Sequence, residues 1–586
     1  MQTRACREKH PSTVIIPLYF CLLLYFTTTN ASFIAHSPIN VDRRRRAAMA
    51  EDPEPVSEAD RWLSHARLII PTALDRARSA SGFPGRWRSI ASKLEQLPPC
   101  LSNLSSHPFF SKNSLCREQL HSVCTTLDEA IKLADRCAGA SIGKLQMQSD
   151  LDSLSCKLDI NLRDCNQLIK TGVIGEAAVP ISELLARLQI GDAEAKQIAM
   201  EELMETIRED EKSVIPALNR SNISSLVKLL TTTVPRLRER AVAVICMLAE
   251  SRICENLLVS EGVLPPLIRV VESGTPAGKE KAVMALERLS MPADTARLIA
   301  GHGGILPLID LCRSKDSVAQ LAAAAALKNL SAIPEVRQRL ADEGVVKVMI
   351  DILDGGAVQG SKVYAAECLQ NLTSGNESLR RVVVSEGGIR SLLAYIDSPR
   401  PQESAIGAVR NLAGSVSVGV LISMGILPRL IIALREGSLG AQAAAAATIC
   451  RISSSPEVKK KMGELGFVPL LVKLTEARMS AAREAAAQAL ASLISSAQNV
   501  REVKRDEKSV PNLVQLLDPS PLNAAKKYAV ACLLALSSSS RCKKQMCSHG
   551  AIGYLMKLAE MDVPGAKKLL ERLEKGKKLR RLFNRK

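Results

Sequence analysis

The chain has 586 residues, of which 46% are hydrophobic, 24% charged and only 3% aromatic. So few aromatics exclude a base-stacking platform for single-stranded nucleic acid, and the core must be built from Ala, Leu, Ile and Val. The formal charge of +18 does not make the body a polyanion binder: residues 1–48 carry +5 and residues 567–586 carry +8, leaving +5 for everything between.

The first 48 residues set Arg4, Arg7 and Lys9 before an apolar run from Val14 to Phe26, with Asn30-Ala31-Ser32 following. That order is a signal-like leader, too short to span a bilayer comfortably. It conflicts with sequons such as Asn103-Leu-Ser and Asn371-Leu-Thr, which a secreted chain would expose to glycosylation. The conflict favours residues 1–48 as a gene-model extension, with Met49-Ala-Glu-Asp as the natural start. A secretory or membrane-directed isoform is the alternative.

Residues 49–175 read as an N-terminal helical domain that caps the repeat array beginning at residue 176. Residues 51–60 are acidic and contain proline, suggesting a frayed start. Trp62, Leu63, Leu68 and Ile69 begin the first helical pattern. Leu97-Pro98-Pro99 and the Ser/Asn/Pro cluster at 102–114 predict a loop. Leu151, Leu154, Leu158, Leu162, Cys165 and Leu168 predict a further helix.

From residue 176 to 563 the chain repeats. Ile207, Leu248, Leu289, Leu330, Leu372, Leu412, Ile452, Leu493 and Leu536 lie 40–43 residues apart. Small or apolar residues stand three, four and seven positions before each. In the repeat ending at Leu286 and Leu289 these are Ala282 and Ala285; in the one ending at Leu412 they are Ala405, Ala408 and Val409. Spacing i, i+3, i+4, i+7 is one helical face, and its recurrence is the signature of a helical solenoid. A Gly turn precedes each such helix, as in Val259-Ser-Glu-Gly-Val-Leu-Pro, Ala341-Asp-Glu-Gly-Val-Val and Ile422-Ser-Met-Gly-Ile-Leu-Pro. Glycine supplies a left-handed helix stop, and Pro265, Pro307, Pro428, Pro469 and Pro511 fit the first turn of the next helix. Each unit is therefore short helix, Gly turn, second helix, loop, Ala-rich third helix.

The sixteen cysteines form no CxxC pair. Cys368 and Cys532 fall in the same small-residue column as Ala285 and Ala408, which reads as buried thiols in a reducing compartment. The seven histidines show no ligand spacing, and no P-loop, GxSxG or HExxH motif is present. No catalytic residue, metal site or cofactor is expected.

The E-G-G-I/V-x-P-L-I/V turn, with A-x-x-A-L-x-N-L closing the third helix, resembles the armadillo repeat. The resemblance covers about residues 181–560. It implies an all-α fold: a right-handed α-solenoid of about nine armadillo repeats preceded by an N-terminal helical bundle. The whole is similar to plant armadillo proteins of the U-box ubiquitin-ligase group, and also to vacuolar armadillo proteins. No Cys-Pro-Ile-bearing U-box module is read between Met49 and the repeats.

The resemblance also implies where partners bind. Asn329, Asn371 and Asn411 immediately precede the marker leucine in three consecutive repeats, the position that in armadillo families pairs with the backbone of an extended peptide. The alternative is that they satisfy carbonyls of their own helix end or loop. Arg288, Lys328, Arg410 and Arg451 neighbour or replace them, giving either a basic groove for an acidic segment or merely a solvated face. Where importin-like receptors carry Trp, this chain has Ala325, Glu367 and Gly407, so a nuclear-signal receptor of that type is not expected.

Residues 564–586 read as a basic C-terminal tail: a nuclear-import signal, a peripheral contact for anionic membranes, or a solubilising extension. The function expected is a non-catalytic protein-interaction scaffold, cytoplasmic and/or nuclear, with protein partners and no specific nucleic acid. The alternative is a ubiquitination-associated protein acting through or with a ligase.

Overall fold

Alternating apolar stripes and capped helix starts leave the chain little choice but helix. The computed structural model describes residues 57–138, 143–171, 174, 180–356, 358–398 and 403–583, with 32 α-helices and no β-strand among them. The signal-like leader and the Met49 start lie outside the described residues. No helix of the described residues is long and apolar enough to cross a membrane.

Four long helices come first: Glu58–Ser79, Pro84–Ser105, Ser114–Ala138 and Lys144–Thr171. The first is capped by Ser57, whose hydroxyl accepts from Asp60 N at 3.1 Å, so order begins within the stretch expected to fray. The expected loop at Leu97-Pro98-Pro99 is corrected: both prolines lie inside the second helix, which continues to Ser105. Proline inside a helix costs about 3 kcal/mol or more. Here Leu94, Leu97, Leu101 and Leu104 are all fully buried on one stripe, and that packing offsets the lost backbone bonds. The predicted leucines of the fourth helix, Leu151, Leu154, Leu158 and Leu168, are buried in the same core.

This bundle abuts the first repeat. Ala186 and Ile190, from the helix Pro180–Arg187 and the turn after it, enter the bundle core, while Ile181, Leu185 and Leu188 enter the solenoid core. The buried carboxylate of Asp164 accepts from Gly191 N at 2.9 Å, fixing a turn whose φ of +89° only glycine adopts readily.

The solenoid follows the expected three-helix rhythm. Third helices Pro235–Leu248, Pro276–Leu289, Glu403–Leu412, Leu439–Ile452, Ser480–Leu493 and Lys526–Leu536 end on the marker residues; Ser317–Ser331 and Gln359–Thr373 run one residue beyond theirs. The first, Ala193–Val214, is longer and carries a kink at Asp210. Consecutive third helices pack side by side. The alanine column makes this possible, because Ala285, Ala326, Ala408 and Ala489 are fully buried and let backbones approach closely. Enlarging Ala326 would force two repeats apart, at about 1–3 kcal/mol. The turn glycines 262, 303, 344, 387, 425 and 466 all have φ between +77° and +90°. One repeat lacks the glycine, and there Asp506 Oδ1 accepts from Lys508 N and Ser509 N at 2.9 and 3.0 Å to make the turn instead.

The array also continues past residue 563. Helix Ala566–Phe583 packs on Lys526–Leu536 as a tenth third helix, with Ala566, Leu569 and Leu573 buried. Those residues, with Leu570, repeat the i, i+3, i+4, i+7 face 37 residues after Leu536. The segment expected to be a tail is thus core as far as Leu573, and the expected boundary at 564 is moved accordingly. The side chains of 575–586 lie outside the described residues.

Candidate binding surface on the third helices

Five buried hydroxyls stand directly after marker residues: Ser290, Ser331, Thr373, Ser453 and Ser537. Each donates to a carbonyl of its own helix end, as Ser290 does to Glu287 O at 2.6 Å and Ser331 to Lys328 O at 2.7 Å. The hydroxyl oxygen is then free to accept from the next repeat, and in each case it is used in this way. Asn329 Nδ2 donates to Ser290 Oγ at 2.9 Å and to Glu287 O at 3.3 Å. Asn371 Nδ2 donates to Ser331 Oγ at 3.0 Å. Asn411 Nδ2 donates to Thr373 Oγ1 at 3.3 Å and Gln370 O at 3.2 Å. Ser492 meets Ser453 at 2.7 Å, and Arg572 Nη1 reaches Ser537 Oγ at 3.1 Å.

The asparagines are therefore inter-repeat staples. A main-chain carbonyl can only accept, so the amide NH2 groups of Asn329 and Asn411 must face their partners and have no hydrogen left for a ligand. Asn411 Oδ1 is also occupied, by Arg410 Nη2 at 3.3 Å. Asn371 differs: one amide hydrogen and its Oδ1 have no partner among the described residues. Sequence reasoning missed the hydroxyl column, although its signal, Ser or Thr one residue beyond the marker, was present in five repeats.

The four basic candidates separate just as clearly. Arg288 pairs with Glu250 and also donates to Cys246 O. Lys328 faces Glu367 at 3.8 Å and lies over the Tyr364 ring at 5.5 Å. Glu287, half-buried beside them, has its carboxyl pushed up by burial and drawn back by Arg288 and Lys328. Arg410 and Arg451 have no carboxylate partner among the described residues. Both line an open pocket of about 480 Å³ with Ser374, Asn411, Ala447 and Gln488. Arg380 shares its rim, but its charge is met by Glu377 at 2.6 Å, and that bond holds the Glu377 carboxyl below its ordinary range.

The buried cysteines behave as core. Cys368 and Cys532 are free thiols, and burial pushes both up to about 12. Among the described residues no group of three His, Cys, Asp or Glu side chains is arranged to hold a metal ion.

Stacked three-helix units with a glycine-stopped turn and an alanine-lined third helix define an armadillo-type α-solenoid, a repeat scaffold of the kind that binds proteins. The family model described as plant U-box protein ARM repeat region matches residues 267–573, and the chain belongs to this family. No U-box domain is found in it. A model described as a domain of unknown function (DUF7032) matches residues 64–173, nearly the span of the four-helix bundle. No curated protein matches the chain. Among solved structures, an engineered protein from the Northeast Structural Genomics Consortium is 26% identical, with a TM-score of 0.59 over 68% of this chain and 98% of that one. A designed armadillo repeat protein is 23% identical, with a TM-score of 0.36 over 39% of this chain and 98% of that one.

Proposed function

We propose that the chain is a non-catalytic scaffold that holds extended segments of partner proteins along the surface lined by its third helices. The observation carrying this reading is Asn371: it alone of the three asparagines keeps both a donor and an acceptor unspent, which is what pairing with a peptide backbone requires. Glu367 and Tyr364 stand one and two turns before it on the same helix with Lys328 against both, adding charge and an aromatic face, while Arg410 and Arg451 extend the surface towards acidic segments. Captured partners of the full chain should bind Asn371→Ala several-fold more weakly and Asn329→Ala nearly normally. Equal binding by wild type and Asn371→Ala would remove this surface from the mechanism.

A second reading is favoured by the family itself: the scaffold acts in ubiquitination through partner proteins. Incubation with ubiquitin, activating and conjugating enzymes tests it, and self-ubiquitination by the purified chain would overturn the non-catalytic reading. We place the protein in the cytoplasm and/or nucleus. The support is Asn371 within its sequon, which lies inside the helix Gln359–Thr373 and donates to the preceding repeat, an awkward place for a bulky glycan. The basic residues beyond Lys575 would serve nuclear import or contact with an anionic membrane. Imaging a chain truncated at 575, together with cosedimentation on phosphatidylserine vesicles, separates these roles.

A further inference from the structure

Repeat arithmetic explains why Arg410 and Arg451 are bare. Arg451 stands one residue before its marker, as Arg288 does. Arg288 is neutralised by Glu250, two residues beyond the preceding marker; the matching position for Arg451 is Gly414. Arg410 stands two residues before its marker, as Lys328 does. Lys328 faces Glu367, five residues before the next marker; the matching position for Arg410 is Ala447. In the same neighbourhood, then, two carboxylates that neutralise this surface elsewhere are replaced by glycine and alanine. Over Gly414 the space is taken by Arg451 itself, whose Nη2 would stand 2.6 Å from a Cβ there, while over Ala447 it opens into the pocket. The hydroxyl staple is missing here too, because Ala413 occupies the position of Ser290 and Ser331, and Arg451 has no buried acceptor to dock on.

We propose that this pocket is a binding site for a phosphomonoester, carried as a phosphorylated side chain on an extended segment lying along the third helices. Two guanidiniums without counter-ions in one pocket repel each other, and a bound anion relieves that repulsion. A carboxylate brings one charge and two oxygens, matching one arginine. A phosphomonoester brings a charge of about −1.5 to −2 and three acceptor oxygens, which match two guanidinium forks and the amide of Gln488. Arg380 is held by Glu377 at 2.6 Å, a carboxylate that Arg381 also meets at 3.5 Å, so it is not one of the two bare guanidiniums. Ser374 and Asn411 supply a polar rim, and Ala447 gives a floor low enough for the anion to reach both arginines.

The inference rests on the groove reading above, and the experiment separates the two. Degenerate peptide libraries with a central phosphoserine, serine or glutamate are immobilised and probed with the full chain, with Arg410→Ala/Arg451→Ala, and with Gly414→Glu/Ala447→Glu. The last variant keeps both arginine residues, moving only the Arg451 guanidinium, and restores the carboxylates that other repeats possess. Wild type should be retained about tenfold more strongly on phosphoserine than on either other library, with the preference weakening as salt rises. Both double variants should lose the phosphoserine preference and bind the three libraries alike, with melting temperature unchanged. Retention of wild type on all three libraries without preference overturns the phosphomonoester site and leaves the groove standing. Equal preference for glutamate and phosphoserine overturns the ligand class. A phosphoserine preference that survives in Gly414→Glu/Ala447→Glu overturns the site. No retention on any library overturns both readings.

Discussion

Asn329→Ala removes two hydrogen bonds at once, to Ser290 Oγ and Glu287 O at 2.9 and 3.3 Å. Ser290 keeps its own bond to Glu287 O, so its buried hydroxyl does not lose a place for its proton. Each lost bond between neutral groups is worth about 0.5–1.5 kcal/mol net, which sums to about 1–3 kcal/mol. Asn371→Ala removes one such bond, to Ser331 Oγ, and should cost about half as much. In a stacked array this loss is local to the interface between adjacent repeats. A single unfolding midpoint over many repeats is not a clean two-state quantity, so hydrogen exchange is the better assay. Amides of helices Pro276–Leu289 and Ser317–Ser331 should lose about 5- to 140-fold in protection in Asn329→Ala, taking about 1.4 kcal/mol per tenfold. Amides of Ser480–Leu493 should be unaffected. If Asn371→Ala loosens its interface more than Asn329→Ala does, the staple reading of the asparagines is refuted.

Ser331→Ala deletes a fully buried hydroxyl that links Asn371 to Lys328 O, and should destabilise that interface by about 1–2 kcal/mol in the same exchange measurement. Gly463→Ala should cost more, about 2–4 kcal/mol, because the new Cβ would lie 1.9 Å from Oδ1 of Asn499. That side chain is buried, and its bonds to Lys459 O and Leu493 O at 2.9 and 3.0 Å would be displaced; a melting temperature equal to wild type would contradict this. Gly387→Ala meets no steric neighbour, so its cost is the left-handed φ of +81° alone, about 1–2 kcal/mol, read as lost hydrogen-exchange protection in the helices flanking the turn. For Cys368 and Cys532, native pKa values raised to about 12 against an ordinary 9 mean that unfolded chains ionise these thiols first. Their contribution to stability is therefore full below pH 9 and is lost as pH rises towards 12. At pH 8 iodoacetamide should label exposed Cys156 readily and leave Cys368 and Cys532 unmodified until the chain is unfolded.

Much of this molecule is legible as burial period. The marker residues coincide with the ends of six third helices, and the glycines placed as stops adopt the left-handed conformation required of them. The tenth helix carried the same signal in Ala566, Leu569, Leu570 and Leu573, but adjacent lysines and arginines make those residues look like part of a solvated tail. Pro98 and Pro99 misled for the opposite reason: a strong local rule was outweighed by a leucine stripe whose helix packs against the first and fourth helices of the bundle.

The candidate site divides along the same line. Residue order alone picked out Asn329, Asn371, Asn411, Arg288, Lys328, Arg410 and Arg451 as positions on one helical face, because helical period dictates direction. What each of them does was decided by stacking, which sets residues about 40 positions apart within hydrogen-bonding reach. Among the described residues, the amide hydrogens of Asn329 and Asn411 were committed to neighbours and Arg288 and Lys328 to carboxylates, whereas Asn371 kept a donor and an acceptor, and Arg410 and Arg451 met no carboxylate. Period fixes which way a side chain points; only the register of one repeat on the next determines whether a partner is waiting there.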